Sequence, residues 1–167
     1  MRLRRQSVLL NTILIALVVV ALTPGEVSNA RTKNPFDSLL GTWTGSGRLV
    51  LQGGQREDIK CNAYYTGGGS KLRLAVRCAS ASYKVEIRSK LTRAGDEISG
   101  TWEERTYNAA GSVSGRALAN RLSLSISNGG FSGSMSVSYG GSQQTVSIST
   151  AGINLKSVKM TLSRVRE

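Results

Sequence analysis

The chain has 167 residues, of which 22 are Lys or Arg and 10 are Asp or Glu, so its net charge is +12 at pH 7. It contains no histidine, two cysteines and only 5% aromatic residues. Without histidine, the usual Ser/His and Cys/His catalytic relays and most transition-metal sites cannot be built. We therefore expect a protein that is not an enzyme and that uses no cofactor and no metal.

Residues 1–30 have the features of a cleaved secretory signal peptide. A short basic stretch precedes an apolar run over residues 8–22, and Ser28 and Ala30 supply small residues for a cleavage site. The run of about 15 residues is shorter than the roughly 20 that a membrane-spanning helix needs. We predict that residues 31–167 form a single domain in the periplasm or outside the cell. That domain has 19 basic and 9 acidic residues, a net charge of +10.

The predicted domain opens with a turn and a glycine-rich strand. Residues 35–40 predict one turn of 3₁₀ helix, and residues 41–51 predict the first strand. Glycines within a strand suit a sharp bend or a close approach to another backbone. A Gly-Gly turn at residues 53–54 leads into the next strand.

The clearest element is a hairpin between residues 58 and 80, whose arms fold back about a run of three glycines. Alternate residues of a strand share a face, so one register fixes which side chains point inward. In this register Cys61 faces Cys78, Ala63 faces Val76, and Tyr65 faces Leu74. In a secreted chain with two cysteines, this pairing predicts a disulfide between Cys61 and Cys78.

The following stretch, residues 83–91, alternates apolar and charged side chains and predicts another strand. Its apolar residues have the same phase as those of the preceding strand. Matching them across the pair predicts that Val76 faces Val85 and that Leu74 faces Ile87.

The rest of the chain continues this pattern, with serine at most outward positions from residue 111 to residue 150. Glycine-rich turns separate the apolar alternations. The predicted strands in this part cover residues 98–104, 122–126, 131–139, 146–148 and 156–165.

Nine or ten short strands with short links imply antiparallel neighbours. So many strands in one small domain leave exposed edges unless the sheet closes on itself. We therefore predict an all-β fold, an antiparallel up-and-down barrel of about 8–10 strands, with a β-sandwich as the alternative.

Several aromatic residues have inward parity in this barrel. They either pack as core or line a site for a small apolar ligand. Inward glycines at positions 100, 115 and 133 would leave room for such a ligand. The ligand-lining candidates are Trp43, Tyr65, Tyr83, Trp102, Phe131 and Tyr139.

A second candidate site is a set of outward basic residues on neighbouring strands, where like charges in proximity cost stability. This arrangement suggests an anionic component of the cell envelope as partner. Nucleic acid is not expected, because the chain is predicted to be secreted and no aromatic residue was found among the basic ones. The candidates are Lys71, Arg73, Arg77, Lys84, Arg88 and Lys90.

Carboxylates offer little chemistry. Glu103 and Glu104 form the only close pair beside an aromatic residue, but neighbouring strand residues point to opposite faces and cannot flank one bond together. We expect Glu104, which is inward by parity, to pair with an arginine or to lie at a bulge.

Gly41-Thr42-Trp43, placed after a turn and at the head of the first strand, resembles the Gly-x-Trp signature of lipocalins and the wider calycin group. The resemblance implies that Trp43 closes one end of the barrel and that an arginine of the last strand packs over it. Arg164 has the parity for that role.

The same features also resemble the start of avidins, periplasmic inhibitors of secreted metalloproteases, and small secreted proteins of alphaproteobacteria. The function predicted is a non-enzymatic binding protein for a small apolar or anionic envelope ligand. An interaction module, such as a protease inhibitor or an envelope scaffold with a protein partner, is the alternative.

Overall fold

The computed structural model describes residues 34–166, which contain ten β-strands. Each strand is joined to the next by a short turn or loop. The strands are β1 (Gly41–Leu51), β2 (Arg56–Gly68), β3 (Lys71–Ala79), β4 (Lys84–Ala94), β5 (Glu97–Glu104), β6 (Ala109–Leu118), β7 (Arg121–Ser127), β8 (Ser132–Gly140), β9 (Gln143–Ala151) and β10 (Leu155–Arg164).

Every strand pairs antiparallel with its neighbour in sequence, and β10 pairs with β1 to close the barrel. The predicted all-β up-and-down barrel is therefore confirmed, and the sandwich alternative is wrong. Closure gives every strand two partners, so the sheet has no free edge. Within the described residues, no helix has the length and apolar character that crossing a membrane requires. The predicted signal peptide lies outside these residues.

The two ends of the barrel are built differently. One end, here called the closed end, carries residues 34–40 together with the turns that follow β2, β4, β6 and β8. Phe36 and Leu39 of that segment are fully buried. The other end, here called the mouth, carries the loops that follow the odd-numbered strands. The segment before β1 is a turn, not the predicted 3₁₀ helix. The Leu39 amide donates to the Phe36 carbonyl as in 3₁₀ geometry, but the preceding bond, from the Ser38 amide, reaches the Asn34 carbonyl one residue further back, so the 3₁₀ pattern does not continue.

The predicted β2–β3 register is confirmed. Cys61 pairs with Cys78, and the two cysteines form a disulfide. The predicted β3–β4 register is wrong by two residues, since Val76 faces Ile87 and not Val85. The connecting loop decides this, because the Ser80 amide donates to the Tyr83 carbonyl at 2.8 Å and sets a tight turn. A shift of two residues preserves the inward face, so the predicted parity survives.

The inward glycines serve strand packing. A Cβ atom at Gly100 or Gly115 would lie 2.1 Å from a backbone oxygen of the neighbouring strand. At Gly133 it would lie 2.9 Å from the Ser149 oxygen. The expectation that these glycines leave room for a ligand is therefore wrong. Their missing side chains allow neighbouring backbones to approach where the sheet bends.

Candidate functional site at the mouth of the barrel

The closed end is fastened by two side chains. Trp43 is fully buried, and its indole N–H donates to the Leu39 carbonyl at 2.8 Å. The Arg164 guanidinium lies 4.3 Å from the centre of the Trp43 ring and donates to the carbonyls of Ser38 and Leu40. This cation–π contact and these hydrogen bonds attach the segment before β1 to the last strand.

A buried polar pair lies near the closed end inside the barrel. The Tyr65 hydroxyl donates to Oε1 of Gln144 at 3.1 Å, and both residues are buried. Burial raises the pKa of Tyr65 to about 12, although the hydrogen bond to Gln144 acts in the opposite direction. The Gln144 amide nitrogen is buried without a hydrogen-bond partner. Tyr139 is also buried, and its hydroxyl donates to the Ala119 carbonyl at 3.2 Å.

The interior changes character towards the mouth. On β3, Leu72 is 1% exposed and the disulfide-bonded Cys78 is 8% exposed, but Leu74 and Val76, which lie between them on the inward face, are only half-buried. On β9, Val146 is 6% exposed, whereas Ile148 is half-buried. Solvent therefore reaches inward apolar side chains on one side of this half of the barrel, whereas Leu49, Leu51 and Ile59 on β1 and β2 are buried. The half-buried set, here called the mouth lining, is Leu74, Val76, Tyr83, Val85, Ile87, Ile126, Phe131, Met135, Ile148 and Leu155.

Two aromatic rings meet beside the mouth lining. Trp102 and Phe131 make an edge-to-face contact with ring centres 5.4 Å apart. The Trp102 indole nitrogen is buried without a hydrogen-bond partner. It lies close to Gly111 on β6, where a Cβ atom would come within 2.8 Å of that nitrogen. The large ring therefore depends on a glycine across the strand pair.

The rim of the mouth is held by Glu104, which is buried at the end of β5. Its carboxylate accepts backbone hydrogen bonds from Glu86, Thr106 and Tyr107 at 3.0, 3.1 and 2.6 Å. Burial alone would raise the pKa of Glu104, but these N–H donors outweigh it and hold the pKa below its usual range. The expected arginine partner of Glu104 is thus replaced by backbone N–H groups of β4 and of the loop that follows β5.

The six predicted aromatic residues fall into two groups. Three of them, Trp43, Tyr65 and Tyr139, lie at the closed end, away from the mouth. The other three, Tyr83, Trp102 and Phe131, lie at the mouth. The prediction missed the aliphatic part of the lining. The alternation of apolar and polar residues had identified these aliphatic residues as inward. Their exposure, however, depends on the distance between the barrel walls, which the alternation does not indicate.

The predicted basic residues all lie on the outer surface of β3 and β4, here called the basic face. Its basic side chains differ in whether they have an acidic partner. Glu86 lies within 3.2 Å of Arg77, 2.8 Å of Arg88 and 3.9 Å of Arg105. Sequence reasoning missed one member of this surface, Tyr64, which is 42% exposed on the adjoining strand.

Two hollows lie on the outside of the barrel. The larger, about 970 Å³, is an open groove over β1, β2 and β10, with Arg48, Asp58 and Lys159 among its lining residues. The smaller, about 400 Å³, lies between β2 and β4 beside Arg77 and Glu86, and the inward residues Cys78 and Val85 contribute to its lining. Both are open to solvent, and both are lined by charged side chains.

The sequence matches no protein-family model, and no curated protein matches it. Solved structures do resemble the barrel. The crystal structure of Rv2717c from M. tuberculosis has a TM-score of 0.63 and 14% identity, over 82% of this chain and 99% of that one. The S-type phycobiliprotein lyase CPES from Guillardia theta has a TM-score of 0.56 and 10% identity, over 79% of this chain and 91% of that one. These likenesses concern the fold and are consistent with a calycin-like barrel.

Proposed function

We propose that this protein is a non-enzymatic binding protein that takes a small, largely apolar ligand into the mouth of its barrel. The observation that carries the proposal is the mouth lining: inward apolar side chains, most of them on β3, β4, β7, β8 and β9, that are half-buried in the half of the barrel towards the mouth. When a ligand covers exposed apolar surface on a concave wall, that surface is removed from water, which is favourable in free energy. The closed end, by contrast, is filled by the protein's own side chains.

The disulfide is consistent with an oxidising compartment outside the cytoplasm. Together with the predicted signal peptide, it supports a periplasmic or secreted location. The likeness to a phycobiliprotein lyase concerns the fold alone, so the proposed ligand class depends on the lining itself.

The indole N–H of Trp102, which has no hydrogen-bond partner, suggests that the ligand carries a hydrogen-bond acceptor. A buried donor without an acceptor costs free energy, and a ligand carbonyl or ether oxygen that reached it would remove that cost. Phe131 packs against the same ring and lies in the mouth lining, so an arriving ligand that displaced Phe131 would meet Trp102. We therefore expect the ligand to be apolar over most of its length, with few acceptor groups.

The test is a titration with N-phenyl-1-naphthylamine, a neutral apolar fluorophore that the basic face does not attract. We expect saturable binding, detected by energy transfer from tryptophan. Val76→Asn should weaken binding about fivefold, because it replaces a half-buried apolar side chain of the mouth lining that lines neither outer hollow.

Val50→Asn is the matched control. Val50 is also a half-buried valine of a β-strand, but it lies on the outer face of β1. It should leave the affinity unchanged. Equal affinities for wild type and both variants, or no saturable binding at all, would contradict the proposed site.

A further inference from the structure

The basic face contains cations that no acidic side chain neutralises. Glu86 forms ion pairs with Arg77 and Arg88. By contrast, Lys71, Arg73 and Lys90 make no ion pair in the part of the chain that the structure describes. All three are exposed.

The sheet register concentrates these charges. Arg73 lies directly opposite Lys90, and Lys71 is the next outward residue along β3. The Cβ atoms of directly opposite residues are about 5 Å apart, and the Cα atoms of alternate residues on one strand are about 7 Å apart. Three cations are therefore held within one small area, and like charges directly opposite are unfavourable to the fold on their own.

An aromatic side chain completes the surface. In the next row of the sheet, Ala75 lies directly between Tyr64 and Arg88. The alanine side chain is a single methyl group, so it adds little bulk between the exposed Tyr64 ring and the Arg88 side chain. The row with Arg73 and Lys90 is the next outward row along the same strands.

We propose that the basic face binds an acidic polysaccharide. A sugar ring stacks on Tyr64 above Ala75, and carboxylates of neighbouring sugars contact Arg73, Lys90 and Lys71. A flexible polymer with one negative charge per residue fits this spacing of cations. This site is separate from the mouth, since its side chains point away from the barrel interior.

A membrane surface fits this face less well. Stable docking on a bilayer combines cations with apolar side chains that insert beside them. The exposed large apolar residues of the described chain are Tyr64, Tyr107, Leu118, Ile153 and Val165, and of these only Tyr64 lies on a strand that pairs with β3 or β4 in the rows of the basic face.

The test uses polygalacturonate as the acidic polymer and dextran as the neutral one, with affinity measured by calorimetry at several salt concentrations. We expect binding to polygalacturonate only, weakened by salt. The double variant Arg73→Ser/Lys90→Ser should bind about tenfold more weakly. Tyr64→Ala should bind at least about threefold more weakly.

The control is Lys156→Ser/Lys159→Ser, which removes the same charge from exposed positions on β10. It should change the affinity less than about twofold. Melting curves establish that each variant is folded. Equal losses in the two double variants, an unaffected Tyr64→Ala variant, or tighter binding to phosphatidylglycerol vesicles than to polygalacturonate would each overturn the proposal.

Discussion

A single buried carboxylate, Glu104, organises the rim of the mouth. Three backbone N–H groups converge on it, so the charged form is solvated by the protein in place of water. The neighbouring Glu103 lies on the opposite face of the strand and is exposed. Two adjacent residues of the same type thus have different roles, because the strand turns one inward and the other outward.

Glu104→Gln should destabilise the fold by about 1–3 kcal/mol at neutral pH, since an amide cannot accept all three hydrogen bonds. The sign of the pH dependence follows from the lowered pKa of Glu104. Its stabilising contribution is present above the usual carboxyl pKa and is lost as the pH falls through the folded value. The gap between wild type and variant, measured by urea unfolding, should therefore narrow in acid.

Glu103→Gln is the internal comparison and should change the free energy of unfolding by less than about 0.5 kcal/mol. The interpretation fails if Glu104→Gln is as stable as wild type at neutral pH. It also fails if its penalty is the same at pH 7 and in acid.

Among the elements, the segment before β1 and the last strand depend on each other through Arg164. This side chain donates to two carbonyls of the segment while its guanidinium covers Trp43. The compact ammonium of a lysine is not planar, so it cannot cover the ring and donate to both carbonyls in this arrangement.

Arg164→Lys should lower the free energy of unfolding by about 1–3 kcal/mol, because it leaves carbonyl acceptors unpaired and removes the contact with the ring. Arg56→Lys, at an exposed position of β2, is the control and should have little effect. Chemical unfolding followed by circular dichroism measures both. Equal stabilities for the two variants would show that Arg164 does not fasten the closed end.

Elements with clear alternation were predictable from sequence. The β2–β3 register followed from its cysteines, because only one pairing brings them together. The β3–β4 register did not, because the apolar residues of both strands allow pairings two residues apart and the loop hydrogen bonds choose between them. The start and end of strand β6 were not predicted, because its inward residues are too small to give a clear apolar alternation. These residues are Ala109, Gly111, Val113, Gly115 and Ala117.

For the candidate sites too, features that depend on strand alternation were predictable and features that depend on the tertiary structure were not. The inward or outward side of each predicted residue depends on parity alone and was predictable. The half-buried state of the mouth lining depends on the separation of the barrel walls, and no local pattern reports it. Tyr64 could have been found, because its parity is that of Lys60 and Asn62 in the same strand.

On the scale of the whole molecule, the barrel separates three environments. The closed end is packed with the protein's own side chains, the mouth exposes apolar side chains to solvent, and the outer surface of β3 and β4 carries the basic face. Closure of the sheet allows this separation, because a barrel has distinct ends and an outer wall with no free edges. An apolar ligand and an acidic polymer would therefore not compete for the same residues.

The most direct test of the mouth uses the methionine methyl groups as reporters. Met135 is half-buried in the mouth lining, whereas Met160 is 6% exposed within the packed interior. With ¹³C-methyl methionine, adding N-phenyl-1-naphthylamine should shift the Met135 methyl resonance and leave that of Met160 in place. Binding that shifts Met160 alone, or that shifts neither resonance, would contradict a ligand site at the mouth.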